Sequence, residues 1–255
     1  MTRILTYNVH RCLGSDRRVD LGRIAEVIAA RAPDIVALQE VDVGRARTSG
    51  VDQAHRLAQR LGMAFRFHPA FTVEAEQYGN AILTALPERL IKAGPLPGYP
   101  RMPSLEPRGA LWVAITLGNV EVQILNTHLG LVPGEQRLQA AALTGADWLG
   151  GPDRRAPLIL LGDFNAGRRS VATRTLLRGL VDARTLHAAW RGVATFPSIM
   201  PVRAIDHVFV SEGVTVTSLQ APADALARRA SDHLPLVMDF EVGGQATVPH
   251  RHRLS

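Results

Sequence analysis

Ile4-Leu5-Thr6-Tyr7-Asn8-Val9, then Asp20 ahead of Leu21, Ile24, Val27 and Ile28, then Ile35-Val36-Ala37-Leu38 after Pro33: this opening stretch reads as strand, helix, strand. The first run is β-like and short. Asp20 is a helix N-cap by residue type, the four apolar residues after it share one helical face, and Pro33 bars continuation of the helix. A strand–helix–strand unit of this length is most easily a right-handed crossover between parallel strands. Parallel strands place their carboxyl ends on one edge of the sheet, where α/β proteins bind ligands. Asn8 and Glu40 fall at those two ends.

The pattern recurs further along. Val120–Leu125 alternates as a strand and runs into Asn126-Thr127-His128. A helix is expected from about Gly134 to Leu149, with Leu138, Ala141, Ala142 and Trp148 turned towards the core. Pro157–Leu161 is a continuous apolar strand ending in Gly162-Asp163-Phe164-Asn165, so His128, Asp163 and Asn165 repeat the edge positions of Asn8 and Glu40. Between the halves, Tyr78–Leu83 and Gly109–Leu117 read as antiparallel strands linked through the proline-rich Gly94–Pro107 loop. Ile205–Val210 and Leu234–Phe240 follow, accompanied by Asp206 and Asp232. Two such halves with added antiparallel strands predict a two-sheet sandwich flanked by helices. With no linker-like break, the expectation is one domain over residues 1–242 and a flexible tail over 243–255.

Composition narrows the class. A chain of 255 residues buries roughly 70–75% of its unfolded surface, enough to hold a site without covalent staples. Cys12 is the single cysteine, which excludes an internal disulfide and a cysteine-cluster zinc site. Hydrophobic content of 46% against 20% charged residues, with a mean hydropathy of +0.04, is that of a globular protein. No apolar stretch approaches the ~18 residues of a membrane span, and no targeting segment is visible, so a soluble cytoplasmic monomer is the expectation. The net charge of +6 is carried almost wholly by arginine, Lys92 being the one lysine. The doublets Arg17-Arg18, Arg154-Arg155, Arg168-Arg169 and Arg228-Arg229 are scattered, whereas nucleic-acid binding wants a clustered stripe.

Polar residues at strand ends are what needs explaining. Taken singly, Glu40 caps a turn, Asp163 is an ordinary turn residue, His128 is a satisfied core histidine, and Asp206 and Asp232 pair with arginines. Convergence on one sheet edge argues against these readings. Gathered carboxylates repel one another unless a cation or proton neutralises them. The hard oxygen donors of Glu40, Asp232 and the Asn8 amide suit Mg²⁺ or Mn²⁺ better than zinc. An Asp–His pair to activate water, with neutral or cationic donors for phosphoryl oxygens, completes a set suited to metal-assisted phosphoester hydrolysis.

Thr6-Tyr7-Asn8-Val9-His10, Leu38-Gln39-Glu40-Val41, Tyr78-Gly79-Asn80-Ala81-Ile82-Leu83, Asn126-Thr127-His128-Leu129, Gly162-Asp163-Phe164-Asn165-Ala166, Ile205-Asp206-His207-Val208-Phe209-Val210-Ser211 and Ser231-Asp232-His233-Leu234-Pro235-Leu236 occur in that order. From about Thr2 to Glu241 the chain resembles the endonuclease/exonuclease/phosphatase superfamily, which includes deoxyribonuclease I, abasic-site endonucleases, neutral sphingomyelinases and inositol-polyphosphate 5-phosphatases. The resemblance implies a four-layered α/β/β/α sandwich of two mixed sheets. It implies that Glu40 is the main metal ligand, with Asn8 and Asp232 beside it. Asp163 and Asn165 would orient the nucleophilic water and hold a phosphate oxygen, or help bind a second metal. Asp206 would fix the tautomer of His233, the general base. His128 would donate to the phosphoryl oxygens, and Asn80 and Arg108 would hold the phosphate. Tyr78 would either donate to phosphate or simply pack beside its strand.

Two positions depart from the pattern. His10 stands where abasic-site endonucleases carry an aspartate, which counts against that branch. His207 replaces a common aromatic residue and is expected to pack against the sheet. Cys12 lies near the site without an activating base and is read as structural.

The loops carry no extended basic and aromatic surface, no lysine-rich signature and no long apolar insertion for membranes. The loop Gly44–Gly50, with Arg45 and Arg47, either meets an anionic substrate or is a solvated face. The expectation is a Mg²⁺-dependent phosphodiesterase, with Mn²⁺ as the alternative ion, of nuclease-like or sphingomyelinase-like type. Its substrate is a nucleic acid, a lipid head group or a small phosphoester, without stable membrane insertion. A phosphomonoesterase, and then a non-catalytic phosphoester-binding module on the same fold, are the alternatives.

Overall fold

In the computed structural model, which describes residues 1–243, the opening unit forms as expected. β1 (Thr2–Asn8) and β2 (Ile35–Val43) pair in parallel, from Ile4 opposite Ile35 to Asn8 opposite Gln39. Between them α1 (Leu21–Ala29) is capped by Asp20, whose carboxylate accepts from Arg23 N at 3.0 Å. Such a cap contributes about 1 kcal/mol.

The chain continues through α2 (Gln53–Leu61), β3 (Ala64–Val73), β4 (Glu76–Thr84), β5 (Glu88–Pro95), β6 (Gly109–Leu117) and β7 (Val120–His128). After these come α3 (Pro133–Thr144), β8 (Leu158–Asp163), α4 (Val171–Leu176), β9 (Val181–Asp182) and β10 (Asp206–Val210). The last elements are β11 (Val214–Gln220), α5 (Ala225–Ala230) and β12 (Leu236–Val242). One six-stranded sheet has the order β11-β12-β1-β2-β4-β3 and the other β5-β6-β7-β8-β10-β9. Each holds one parallel pair at its centre, β1–β2 and β7–β8, among antiparallel neighbours.

Strand periodicity builds the layers. On β1, Ile4 faces the inter-sheet core with Ile35, Ile124, Ile159 and Val208, while Leu5 turns outward to Ile24, Val27 and Ile28 of α1. On β7, Ile124 faces inward and Leu125 outward, where Ala140 and Leu143 of α3 and Leu176 of α4 cover it. The result is helices, sheet, sheet, helices, with the central strands buried on both faces. Each such aliphatic side chain contributes roughly 1.5–3 kcal/mol on burial. At the carboxyl end of the central strands the apolar filling gives way to a polar pin between sheets. Gln39 Nε2 donates to Asn126 Oδ1 at 2.7 Å, and Asn126 Nδ2 donates to the carbonyls of Leu38 and Ala81 at 2.9 Å each. This fully paired network holds the two sheets in register beneath Asn8, Glu40 and His128.

Two expectations are corrected. β4 and β6 are antiparallel to their neighbours as expected, but the link between them is not a loop alone: β5 intervenes and pairs with β6, so β4 lies between β2 and β3 and β6 in the other sheet between β5 and β7. α3 ends at Thr144 and buries Glu135, Gln136, Gln139, Ala140 and Leu143, leaving Leu138 and Ala141 exposed. Trp148 is buried, but from the turn after the helix. The helix is rotated because its glutamines satisfy buried loop amides and carbonyls that apolar side chains would orphan. Beyond residue 243, the expected tail lies outside the described residues. Among the described residues no helix is long and apolar enough to cross a membrane.

Candidate active site

Local backbone departures aim the polar residues out of the strand ends. Glu40 sits in β2 at φ +58°, where the β2–β4 register breaks between Leu38 and Val41. Such a bulge re-aims one side chain and is common beside functional sites. Gly162 has φ +140°, and a Cβ there would lie 1.9 Å from the Thr127 carbonyl oxygen, so only glycine lets β7 and β8 close up before Asp163. Asp163 is paired opposite both His128 and Asp206 in the sheet register. Asn165 follows at φ +49°, its backbone N–H donating to Asp163 Oδ1 at 2.8 Å. Asp232 and His233 lie on the loop between α5 and β12.

These elements bring the carboxylates and imidazoles together. His233 Nδ1 lies 2.9 Å from Asp206 Oδ2, which also accepts from the Thr195 hydroxyl. With Nδ1–H given to Asp206, Nε2 faces Asp163 Oδ2 at 3.6 Å. Burial pulls the His233 imidazolium down, but Asp206, Asp163 and Asp232 outweigh it and lift its pKa to about 10. Asp163 is raised by burial, assisted by the Asp206 charge. Asp206 is opposed by burial but held below its ordinary value by His233 and the Thr195 hydroxyl. Asn8 Nδ2 donates to Glu40 Oε1 and to Asp163 Oδ2, each at 2.9 Å, bridging two acids. Asp163, Asp206 and His233 have ligand atoms within 4.8 Å of one another and could hold a metal ion.

Opposite this cluster stands a donor wall. Arg108 Nη1 lies 3.2 Å from His128 Nδ1. Both ring nitrogens of His128 face donors: a guanidinium has no acceptor, and Nε2 lies 3.0 Å from the Asn165 amide nitrogen and 3.5 Å from Asp163 Oδ2, so a neutral ring accepts from one of the two and carries its N–H on the other nitrogen. Burial, with Arg108 and His233 nearby, lowers the His128 pKa well below its ordinary value, so the ring is neutral at pH 7. A cleft of about 340 Å³ runs between the two groups. Eight of the sequence-predicted residues line it: Glu40, Asp232, Asp163, Asn165, His128, His233, Tyr78 and Arg108. Asn8, Asp206 and Asn80 are buried outside that lining, and Asn80 Nδ2 is committed to the Gly109 carbonyl at 2.9 Å, next to Arg108.

Arg47, from the loop Gly44–Gly50, also lines the cleft, its guanidinium 5.5 Å from the Tyr78 ring centroid and paired with buried Asp42 at 2.7 Å. Sequence reasoning missed several supports. Thr195 holds Asp206, Phe196 packs on the His233 ring at 4.8 Å, and Ser231 Oγ donates to the Asn8 carbonyl at 2.8 Å. Gln136 Nε2 ties the Gly130 and Asn165 carbonyls together at 2.9 and 3.0 Å. Ser231 alone had a signal, its place in the Ser-Asp-His run. His10 Nδ1 lies 3.6 Å from Asp232 Oδ1. His207 is fully buried against Phe164 and Phe209, with Nε2–H given to the Ala166 carbonyl at 2.8 Å, and burial lowers its pKa to about 4. Cys12 is buried and its thiol is pushed up by that burial.

The chain is similar to known proteins in sequence and in fold. The Escherichia coli (strain K12) protein YbhP is 25% identical over 251 residues, covering 94% of this chain and 96% of YbhP. The crystal structure of an endonuclease/exonuclease/phosphatase from Beutenbergia cavernae superposes with a TM-score of 0.73 at 27% identity, covering 95% of this chain and 72% of that one. The Bacteroides thetaiotaomicron mannosyl-6-phosphatase Bt3783 has the same fold, with a TM-score of 0.72 at 19% identity over 94% of this chain and 100% of its own. The family profile itself matches residues 5–233, a span that takes in every residue of the cleft described above, and the chain belongs to the endonuclease/exonuclease/phosphatase family.

Proposed function

We propose that this protein is a divalent-metal-dependent phosphoester hydrolase, and specifically a Mg²⁺-dependent phosphodiesterase that also accepts Mn²⁺. The observation that carries the reading is a cleft with an Asp206–His233–Asp163 chain on one wall and neutral His128 with Arg108 on the other. His233 is the general base: Asp206 holds Nδ1–H, leaving Nε2 to take a proton from a water held by Asp163. With its proton on Nε2, His128 joins Asn165 and Arg108 in donating to the phosphoryl oxygens as charge builds on them. Asn80 keeps the Arg108–Gly109 backbone in place through its bond to the Gly109 carbonyl. Tyr78 closes the wall under Arg47.

The donor set fits a hard cation. Glu40 and Asp232, with Asp163 adjacent, are the residues that would hold it, and none of them is a soft ligand. Asn8 donates through Nδ2 to Glu40 and Asp163 while its Oδ1 accepts from His10 N at 3.0 Å, so it would add its oxygen to the set only by turning its amide. Bound there, a divalent ion polarises the phosphoryl oxygen as a Lewis acid and offsets the gathered negative charge. Without it, the His233 proton is the counter-charge for Asp163 and Asp206, which is why its pKa stands at about 10.

The assay is hydrolysis of bis-p-nitrophenyl phosphate with Mg²⁺, Mn²⁺ or EDTA. Turnover that needs the metal and falls roughly 10²–10⁴-fold in His233→Ala is expected. Metal-independent turnover, or full activity in that variant, sinks the reading. Phosphate release from monoesters exceeding diester cleavage replaces it with a phosphomonoesterase.

A further inference from the structure

Beside the cleft lies a second, larger one of about 610 Å³, and Leu131, Asn165 and Arg203 line both. That volume lies within the range of roughly 300–1,000 Å³ typical of small-molecule sites. The two differ in charge. Glu40, Glu106, Asp163 and Asp232 line the first, whereas no carboxylate lines the second. Its cations are Arg137 on α3 and Arg203, and among the described residues neither has a carboxylate at ion-pair distance. Arg203 instead rests 5.7 Å from the Phe196 ring centroid, the ring that packs on His233. Tyr99 forms a further wall, its ring set so close over Gly134 that a Cβ there would meet it at 2.6 Å.

We infer that this second cleft is a subsite for the organic part of a phosphoester that carries a second phosphate. The inference rests on the phosphoesterase reading for the first cleft. Tyr99 gives the lining an aromatic ring for an organic group to pack against, and two guanidinia in the same lining match a phosphate dianion better than a neutral group. Arg203 borders both clefts and Arg137 only the outer one, so the second phosphate lies beyond the scissile group. A single phosphate in the catalytic cleft leaves the outer guanidinia unused. Both arginines are exposed, so an apolar leaving group leaves them in water and gains nothing from them.

The test compares two chromogenic diesters that differ by one group: thymidine 5′-(p-nitrophenyl phosphate) and its 3′-phosphorylated form. The 3′-phosphate is expected to lower KM about tenfold in the wild type, an advantage Arg137→Ala removes and Arg137→Lys partly restores. Arg203→Ala should raise KM for both compounds. An oligothymidylate binding a further tenfold tighter than the small bisphosphate assigns the second phosphate to a nucleic-acid chain, and no further gain assigns it to a small molecule. Equal KM for the two diesters in the wild type, or a full advantage kept by Arg137→Ala, overturns the subsite while hydrolysis stands. Should neither compound be cleaved, the phosphodiesterase reading fails. Calorimetric binding of the same intact pair then decides the subsite, and equal affinities overturn it.

Discussion

Asp206 Oδ2 receives two donors, His233 Nδ1–H and the Thr195 hydroxyl, inside a site almost closed to water. In Asp206→Asn the carboxylate charge that lifts His233 to about 10 is gone, so the ring becomes a weaker base and loses its fixed tautomer. Activity requires neutral His233, so the wild type loses rate as pH falls. The variant's acid limb should move to lower pH while its plateau drops roughly 10²–10⁴-fold. The stability effect has its own sign. A raised imidazole stabilises the fold fully below its ordinary 6.5 and loses that contribution as pH rises through about 10. The depressed Asp206 contributes above its ordinary 3.8 and loses that as pH falls. In EDTA, the urea-unfolding gap between wild type and Asp206→Asn should be largest between about 4 and 6.5 and close above about 10. A gap constant from pH 5 to 10.5 contradicts the pairing. The Asp206–His233 pair was legible because two compact motifs announce it. Thr195 was not, since one threonine in an irregular loop has no periodicity and no motif, and only the fold brings it to Asp206.

α3 shows where reading by hydrophobic spacing fails. Leu138, Ala141 and Ala142 suggested one face, yet the buried face carries Gln136 and Gln139 because two loops behind the site need partners. Gln139 Oε1 accepts from Gly130 N at 2.8 Å, and its Nε2 donates to Glu135 Oε1 at 3.0 Å. Glu135 presses so closely on Gly130 that a Cβ there would lie 1.8 Å from Oε2. Gln139→Leu keeps the bulk and removes both of these bonds and a third, from Nε2 to the Pro97 carbonyl at 3.3 Å, leaving a buried amide and carboxylate short of partners. The expected loss is about 1–3 kcal/mol in urea unfolding, with kcat falling because the Leu129–Gly130 loop beside His128 loosens. Gln139→Glu, able to accept from Gly130 N, should recover part of the kcat but not the contact to Glu135. Unchanged stability in Gln139→Leu shows that the polar face is incidental. Strand β5 and the edge strands β3 and β11 escaped the sequence for a related reason. Their partly exposed residues need only pair backbone to backbone, so their side chains carry little pattern.

The sheets themselves were legible because β1, β2 and β8 read as largely apolar runs and β7 as an alternation, each ending in polar residues. Their order was not, because pairing β12 beside β1 and β10 beside β8 is a long-range choice that no local pattern records. That order is what assembles the proposed cation ligands: Asn8 from β1, Glu40 from the β2 bulge and Asp232 from the loop leading into β12 meet only in the folded chain. A divalent ion held by them binds the native state and not the unfolded one, and so stabilises the fold by mass action. At a concentration one hundred times its dissociation constant this amounts to about 2.7 kcal/mol. For a chain of this size each kcal/mol moves Tm by roughly 2–4 °C. Mg²⁺ titrated into EDTA-stripped protein should therefore raise Tm progressively, by about 5–10 °C at that excess, as measured by scanning calorimetry. Glu40→Gln, which keeps shape and removes one carboxylate charge, should begin from an equal or higher metal-free Tm, because the repulsion within the cleft is relieved, and then gain little from Mg²⁺. Should Glu40→Gln gain as much as the wild type, the ion sits elsewhere. The remaining carboxylate cluster, Asp163 and Asp206 with His233, is then where to look, and Asp163→Asn in the same titration distinguishes the two positions.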